Sequence, residues 1–571
     1  MRRTWVLQCS WAVFAASFVP AVASAANLHV DARNAGAERG DESAPFRTVA
    51  AAIAKATAGD TVRVAEGSYT GALTLDGKGV ILEGGYVGGS AANYAGGKPG
   101  DFAMRDPKAH VTELRGTKAA GVVFLHNAEG ARIDGFRITG GSHAVHVDDD
   151  EPGTSVTIAN DVMEGNGVDD EHESGGGVLI VNAKAVVENN VIRNNISGRG
   201  AGIAGKGPSI MVRGNLVESN VSVSDHGGGI WLAFDKTEIT KNVVRKNEVG
   251  RRLGYGYGGG ILVHETTTVA TLSFNVVTEN YANGAGSGIF VDDGATAFIS
   301  NELVYANACG SAGGSGIYVD GFGPGVGSKA TLRNVTVANH PCKDQTAGGN
   351  ALFVERESVV DVSDSIFWGN GGDDVYVATD SRLSVRYSDA EEAIDGTGNL
   401  RTDPGFVNPT NDFHLKSTFG HFDVTTSSYS GPDDALSPCI DTGDPISVYL
   451  REPQPNGGRV DMGAYGNAPE ASLASIRGAL GPGDAIPPSG PGSGVDPNAK
   501  PSGDGGADAA TNGDGGGGGC ATTPRGAPKG PAALPSMGAM WGFATFAAFA
   551  ARRRMRRFPK TARLSREPRF G

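Results

Sequence analysis

The stretch "GRGAGIAGKG", residues 198–207, decides how the chain is read. It holds Gly200-x-Gly202-x-x-Gly205, the fingerprint of a dinucleotide turn. It also holds Gly200, four further residues, then Gly205-Lys206, close to a phosphate-binding loop. Both motifs need a helix directly after the glycines. None is written here, and Gly207 stands where the phosphate loop needs Ser or Thr. The pattern instead recurs. Gly-x-Gly followed by mostly apolar residues reads "GGGVLI" at 175–180, "GGGIWL" at 227–232, "GGGILV" at 258–263, "GSGIFV" at 286–291 and "GSGIYV" at 314–319, with "GGNALFV" at 348–354 as a looser copy. So residues 198–207 are one unit of a repeat.

A second series runs between the glycines. Asn-x-x-x-x-Asn occurs at 190/195, 215/220, 242/247, 275/280 and 334/339, around segments such as "NVVRKN". A period of 25 to 31 residues means stacked supersecondary units. Each unit holds two or three short β-branched strands without helical periodicity. That predicts an all-β parallel solenoid, each coil bonded to the next at about 4.8 Å. Asn suits the tight turn of each coil, because it tolerates left-handed backbone and can hydrogen-bond along a stack.

On these repeats, residues 27–400 resemble the right-handed parallel β-helix proteins, the pectate-lyase-like superfamily. "APFRTVAAAIAKATAGDTVRVAEGSYTG", 44–71, looks like that superfamily's N-terminal cap, a short helix leading into the first strands. Read from its residues alone, 48–58 is Ala-rich with Val49, Ile53 and Ala56 on one face, and Gly59-Asp60 stops it. A cap is physically required, since the open end of a solenoid is an exposed sheet edge. "LSPCIDTGDP", 436–445, and "GGRVDMGAYG", 457–466, resemble the C-terminal segment of bacterial surface β-helix proteins of the choice-of-anchor type, with Cys439 and Gly466 departing from the usual pattern.

The expected division is a signal peptide over 1–25, an N-terminal cap and first coils over 26–115, β-helix repeats over 116–400 and a C-terminal cap over 401–470. A Gly/Pro-rich linker over 471–531, an apolar segment over 532–551 and a basic tail over 552–571 complete it. The start has Arg2-Arg3, an apolar stretch and Ala23-Ser24-Ala25, which reads as an export signal. The linker composition cannot bury a core. The apolar run, followed by Arg552-Arg553-Arg554, is just long enough to span a bilayer with its basic flank inside. This tail is similar to the C-terminal sorting signals of myxobacterial surface proteins, with Cys520 the processing or lipid-attachment residue. The expected address is the cell surface or outer envelope.

The formal charge is −14, more negative still without the basic ends. Such a chain repels phosphate backbones, which excludes nucleic acid as a partner. An acidic polysaccharide needs a divalent cation or a local basic patch to approach it.

Solenoids place insertions and binding on one face. Here the variable loops follow the second Asn: "GVDDEHES" (167–174), "ISGR" (196–199), "VSVSDH" (221–226), "EVGRRLGYGY" (248–257), "YANGA" (281–285), "ACGSAG" (308–313) and "HPCKDQTA" (340–347). Stacked, they bring Asp169, Asp170, Glu173 and Asp225 forward as ligands for Ca²⁺. Arg199, His226, Tyr255, Tyr257 and Tyr281 are the expected glycan contacts. Arg251 or Arg252 is the expected base should the protein be a β-elimination lyase, a chemistry the superfamily includes. Cys309 and Cys342, two and three residues after Asn307 and Asn339, fall on adjacent coils within disulfide reach. A rival column follows the apolar triplets: "VDDDEPG" at 147–153, His264-Glu265, "VDDG" at 291–294 and "VDG" at 319–321. It reads as ordinary Asp-Gly turn chemistry. Two functions stay open: an exported, anchored, glycan-binding or adhesive β-helix, and a Ca²⁺-dependent polysaccharide lyase or related enzyme.

Overall fold

The computed structural model describes residues 25–475, apart from 225, 253, 309, 312 and 343–347. The export signal, the linker, the apolar run, the basic tail and Cys520 lie outside the described residues, as do Asp225 and Cys309. No helix among the described residues is long and apolar enough to cross a membrane.

Short β-branched segments punctuated by Gly and Asn cannot bury an apolar face alone, so they bury it by stacking. The result is a right-handed parallel β-helix. Among the described residues its coils share a 23-stranded sheet, a 12-stranded sheet and a short 4-stranded sheet. The register is unbroken from coil to coil: Ile203 pairs with Ile230, Ile230 with Ile261, Ile261 with Ile289, and Ile289 with Ile317. In the 12-stranded sheet Ile192, Val217, Val244, Val277, Val304 and Val337 form a second inward column. Both columns are fully buried.

At the N-terminal end the helix Val49–Lys55 closes the stack. Thr48 caps it by accepting from Ala51 N, and Val49, Ala52 and Ile53 turn inward. The Lys78 ammonium donates to the carbonyls of Ile53 and Ala56 at its C-terminal end, where cations are favoured.

The turn asparagines form two continuous internal ladders. In one, Asn190 Nδ2 donates to Asn215 Oδ1, Asn215 to Asn242, and Asn242 to Asn275, all within 3.0 Å. In the other, Asn166, Asn195, Asn220, Asn247, Asn280 and Asn307 are linked the same way. The left-handed residue of each turn is the one before the ladder Asn: Lys241 (φ 56°), Lys246 (56°), Phe274 (57°) and Glu279 (56°) among them. The Asn is therefore selected for its amide, which replaces backbone partners lost at the corner, and the strain falls on a neighbour of any type.

Both ladders end in carboxyls. Glu302 Oε1 accepts from Asn275 Nδ2 at 2.7 Å. Asp374 accepts from Asn370 at 2.8 Å. His340 stands in as a rung of the second ladder, between Asn307 and Asn370.

The repeated glycines have two separate duties. The first of each motif is left-handed, as at Gly227 (φ 61°). The second is a close approach: a Cβ on Gly229 would lie 2.7 Å from Gly260 O and 2.9 Å from Asn247 Nδ2.

Residues 401–475 lie along the flank of the last coils. Phe406, Phe413, Leu415, Met462 and Ala464 pack on Leu303, Ala338 and Ile366 of the 12-stranded sheet. The sequence permits this because the column of Tyr305, Ala338 and Trp368 turns apolar there, whereas earlier coils carry Glu218 and Arg245 at the matching place. Asn301 and Asn334 fasten the segment through the carbonyls of Ala464, Gly466 and Asp461.

Candidate functional site

Each Gly motif is followed by a strand whose first and third residues face inward and whose second faces outward. The register aligns the outward residues as Leu179, Ala204, Trp231, Leu262, Phe290, Tyr318, Phe353 and Tyr376. Trp231, Leu262, Phe290, Tyr318 and Phe353 are nonetheless buried. Tyr257 stacks on Phe290 at 5.8 Å, and His226 lies 6.0 Å from Tyr257. Tyr318 and Phe353 stack at 4.7 Å.

To one side of this aromatic stripe, four successive strands are each followed by an ionisable residue. His264, Asp292, Asp320 and Glu355 occupy successive coils at one register, each donating its N–H to the last strand carbonyl of the coil before. His264, Asp292 and Asp293 bring ligand atoms within 4.8 Å of one another. His264 Nδ1 is 3.6 Å from Asp292 Oδ2, and Nε2 is 3.7 Å from Asp293 Oδ2. Burial lowers the His264 pKa, but Asp292, Asp293 and Glu265 outweigh it and the net shift is upward. Arg356 pairs with Asp320 at 2.7 Å, and the Tyr318 hydroxyl donates to Glu355 at 2.8 Å. His264 packs against Trp231 at 5.9 Å and against His226 at 5.8 Å. Trp231 Nε1 and His264 Nδ1 are buried without a hydrogen-bond partner among the described residues. Buried polar atoms left open in this way mark a place that a bound ion or water completes.

The donor set is one imidazole and two carboxylates. Ca²⁺ takes oxygen ligands almost throughout. Imidazole with carboxylate suits Zn²⁺ or Mn²⁺ better. The cluster belongs to the column that sequence reasoning assigned to turns. The available signal was His264-Glu265 standing one coil before Asp292-Asp293, at one register.

The sequence-predicted residues are placed as follows. Asp169 is held by Arg252, whose guanidinium reaches it from three coils further on at 2.5 Å. Arg251 pairs with Glu248 on its own loop, and that bond raises the Arg251 pKa. A guanidinium stabilised as a cation is a poor base. Asp170 accepts from His172 N, and Glu173 lies 3.9 Å from His143. These three carboxylates form no metal-sized group with another His, Cys or carboxylate among the described residues. Arg199 pairs its backbone with Glu173 and Gly175. Tyr281 pairs with Glu248 in the short sheet, and Tyr255 is 45% exposed. Cys342 is disulfide-bonded.

Residues 120–301 match the family described as the right handed beta helix region. No curated protein matches the chain. Among solved structures, pectate lyase Pel9A is similar at 12% identity and a TM-score of 0.41, over 78% of this chain and 97% of its own. XylC in complex with xylose is similar at 11% identity and a TM-score of 0.36, over 77% and 98%. At these scores the two likenesses add nothing to the chemistry read from this chain.

Proposed function

We propose that the chain is an exported, surface-tethered β-helix that binds an acidic glycan across its loop-covered face, through a divalent cation held by His264, Asp292 and Asp293. The convergence of those three side chains within 4.8 Å beside an aromatic stripe carries the reading. An acidic protein needs such a bridge to approach an acidic polymer. Tyr255 offers an exposed ring on the same face, and parallel coils extend that face along a polymer. Tethering rests on the basic start and the apolar, Arg-flanked end of the sequence. The paired states of Arg251 and Arg252 favour binding over turnover.

The test is cation content and glycan binding of the purified full chain. Zn²⁺ or Mn²⁺ should bind near stoichiometrically, and Ca²⁺ more weakly. Acidic polysaccharide should bind only with the cation and be released by EDTA. His264→Ala and Asp292→Asn should each lose both properties. Cation binding without glycan binding would reduce the site to a structural one. Loss of neither property in the variants would refute it. Deleting 480–571 should move the protein from the envelope to the medium; retention in the envelope would refute the tether.

A further inference from the structure

A cleft opens over the turns that join the 23-stranded sheet to the 12-stranded sheet near the N-terminal end. Between the strand Ile81–Gly88 and the coil that follows, the chain makes an excursion: the short helix Ala91–Ala95, then the strand Asp101–Arg105 returning antiparallel to Ile81–Gly88. The excursion ends in Asp106-Pro107-Lys108, which leans over the turns of three coils. Arg105 fixes it there by donating to Gly84 O at 2.7 Å and Asp134 O at 2.8 Å. Beneath it lies a cleft of about 690 Å³ with Phe136, Val162 and Val191 among its floor residues. The volume is that of a site for a small ligand.

The rim gathers four basic side chains in a protein of formal charge −14. Arg105, Lys108, Arg137 and Arg193 line it, against Asp106, Asp134, Glu164 and the buried Asp161. Two of those carboxylates are each shared by two guanidiniums. Glu164 takes both Arg137 and Arg193, and Asp134 takes both Arg105 and Arg132. Even with Glu218 4.0 Å from Arg193 and Glu188 3.6 Å from Arg132, these acceptors do not saturate five-donor forks, so N–H donors remain for a further anion. The Lys108 ammonium makes no hydrogen bond or ion pair among the described residues. Asp161, also on the wall, is fully buried: its Oδ1 accepts from Phe136 N at 2.7 Å, and burial pushes its carboxyl well above the usual range. The amides of Asn160 and Asn189, at the left-handed corners of two turns, complete a polar edge above the apolar floor.

We infer that this cleft is a second, cation-independent subsite that takes a short acidic saccharide, one or two rings bearing carboxylate or sulfate. The apolar floor fits a sugar face, and the guanidiniums and ammonium fit the anion. The choice of a saccharide rests on the proposed glycan reading; the anion requirement stands on the cleft alone.

The experiment is calorimetric titration of the full chain with three disaccharides: one of glucuronate, one carrying sulfate and one uncharged. It is run in EDTA, at low and at high salt. At least one acidic disaccharide should bind and weaken with salt, and the uncharged one should bind at least tenfold more weakly. Lys108→Glu, which breaks no bond of the fold, should weaken the acidic ligand at least tenfold. Arg193→Gln should do so with an unchanged melting curve, Glu164 keeping Arg137. Asp292→Asn should leave this binding intact, so the two sites fail separately. Equal binding of the uncharged disaccharide, no effect of Lys108→Glu, or equal binding of inorganic sulfate alone would each overturn the inference.

Discussion

Glu302 and His340 show how one side chain sets the pH response of a stack. Each replaces Asn in a ladder, and each is fully enclosed. Burial pushes the Glu302 carboxyl up to about 8 and the His340 imidazole down to about 4. Both are therefore neutral near pH 7. His340 keeps the polarity of its ladder by accepting from Asn307 at Nε2 and donating from Nδ1 to Asn370. For Glu302 the folded pKa is above the unfolded one, so stability is full below about 4.5 and is lost as pH rises through about 8, on the order of 4 kcal/mol. For His340 the folded pKa is below the unfolded one. Stability there is full above about 6.5 and falls as pH drops through about 4, on the order of 3 kcal/mol. Glu302→Gln should raise the melting temperature at pH 8 and leave it unchanged at pH 4. His340→Asn should raise it at pH 4 and leave it unchanged at pH 8. Flat differences across pH would refute the assignments.

The element at issue is the coil, and its repeat was plain in the sequence. Gly and Asn recur because each is irreplaceable for a local reason: Gly229 for want of space, Asn247 for its amide. Asn247→Ala would remove the acceptor of Asn220 Nδ2 and the donor to Val217 O. The expected cost is about 2–4 kcal/mol, read as a lowered melting temperature. What the period concealed was which turn residue bears the left-handed strain. Lys, Phe, Glu and Ser share that duty, so no composition signal marks it. The candidate site was half legible. The loop face with His226 and Tyr257 follows from insertion lengths, and those rings do meet. Asp292 and Asp293 were hidden, since Asp before Gly has a commoner meaning in turns. The arginine-lined cleft was not legible at all, because its wall comes from an excursion outside the repeat.

Along both ladders, each rung bonds only within its own coil and to the coils on either side of it. Removing residues 221–247, one full period between Asn220 and Asn247, should leave both ladders joined and the protein folded, about 4.8 Å shorter. A deletion of half that length should abolish folding, as judged by the β signal in circular dichroism.

The chain leaves the described structure at residue 475, from a segment fastened along the side of the final coils by Asn301, Asn334, Asn339 and the Arg386–Asp444 pair. A load applied beyond that point does not lift the terminal coil away like the last turn of a spring. It enters at the flank and is carried in shear by several coils at once, each resisting through strand bonds that must break together. Stretched from that end, the protein should yield at high force in one large step. Were the strap merely stacked on the tip, coils would peel away singly at low force.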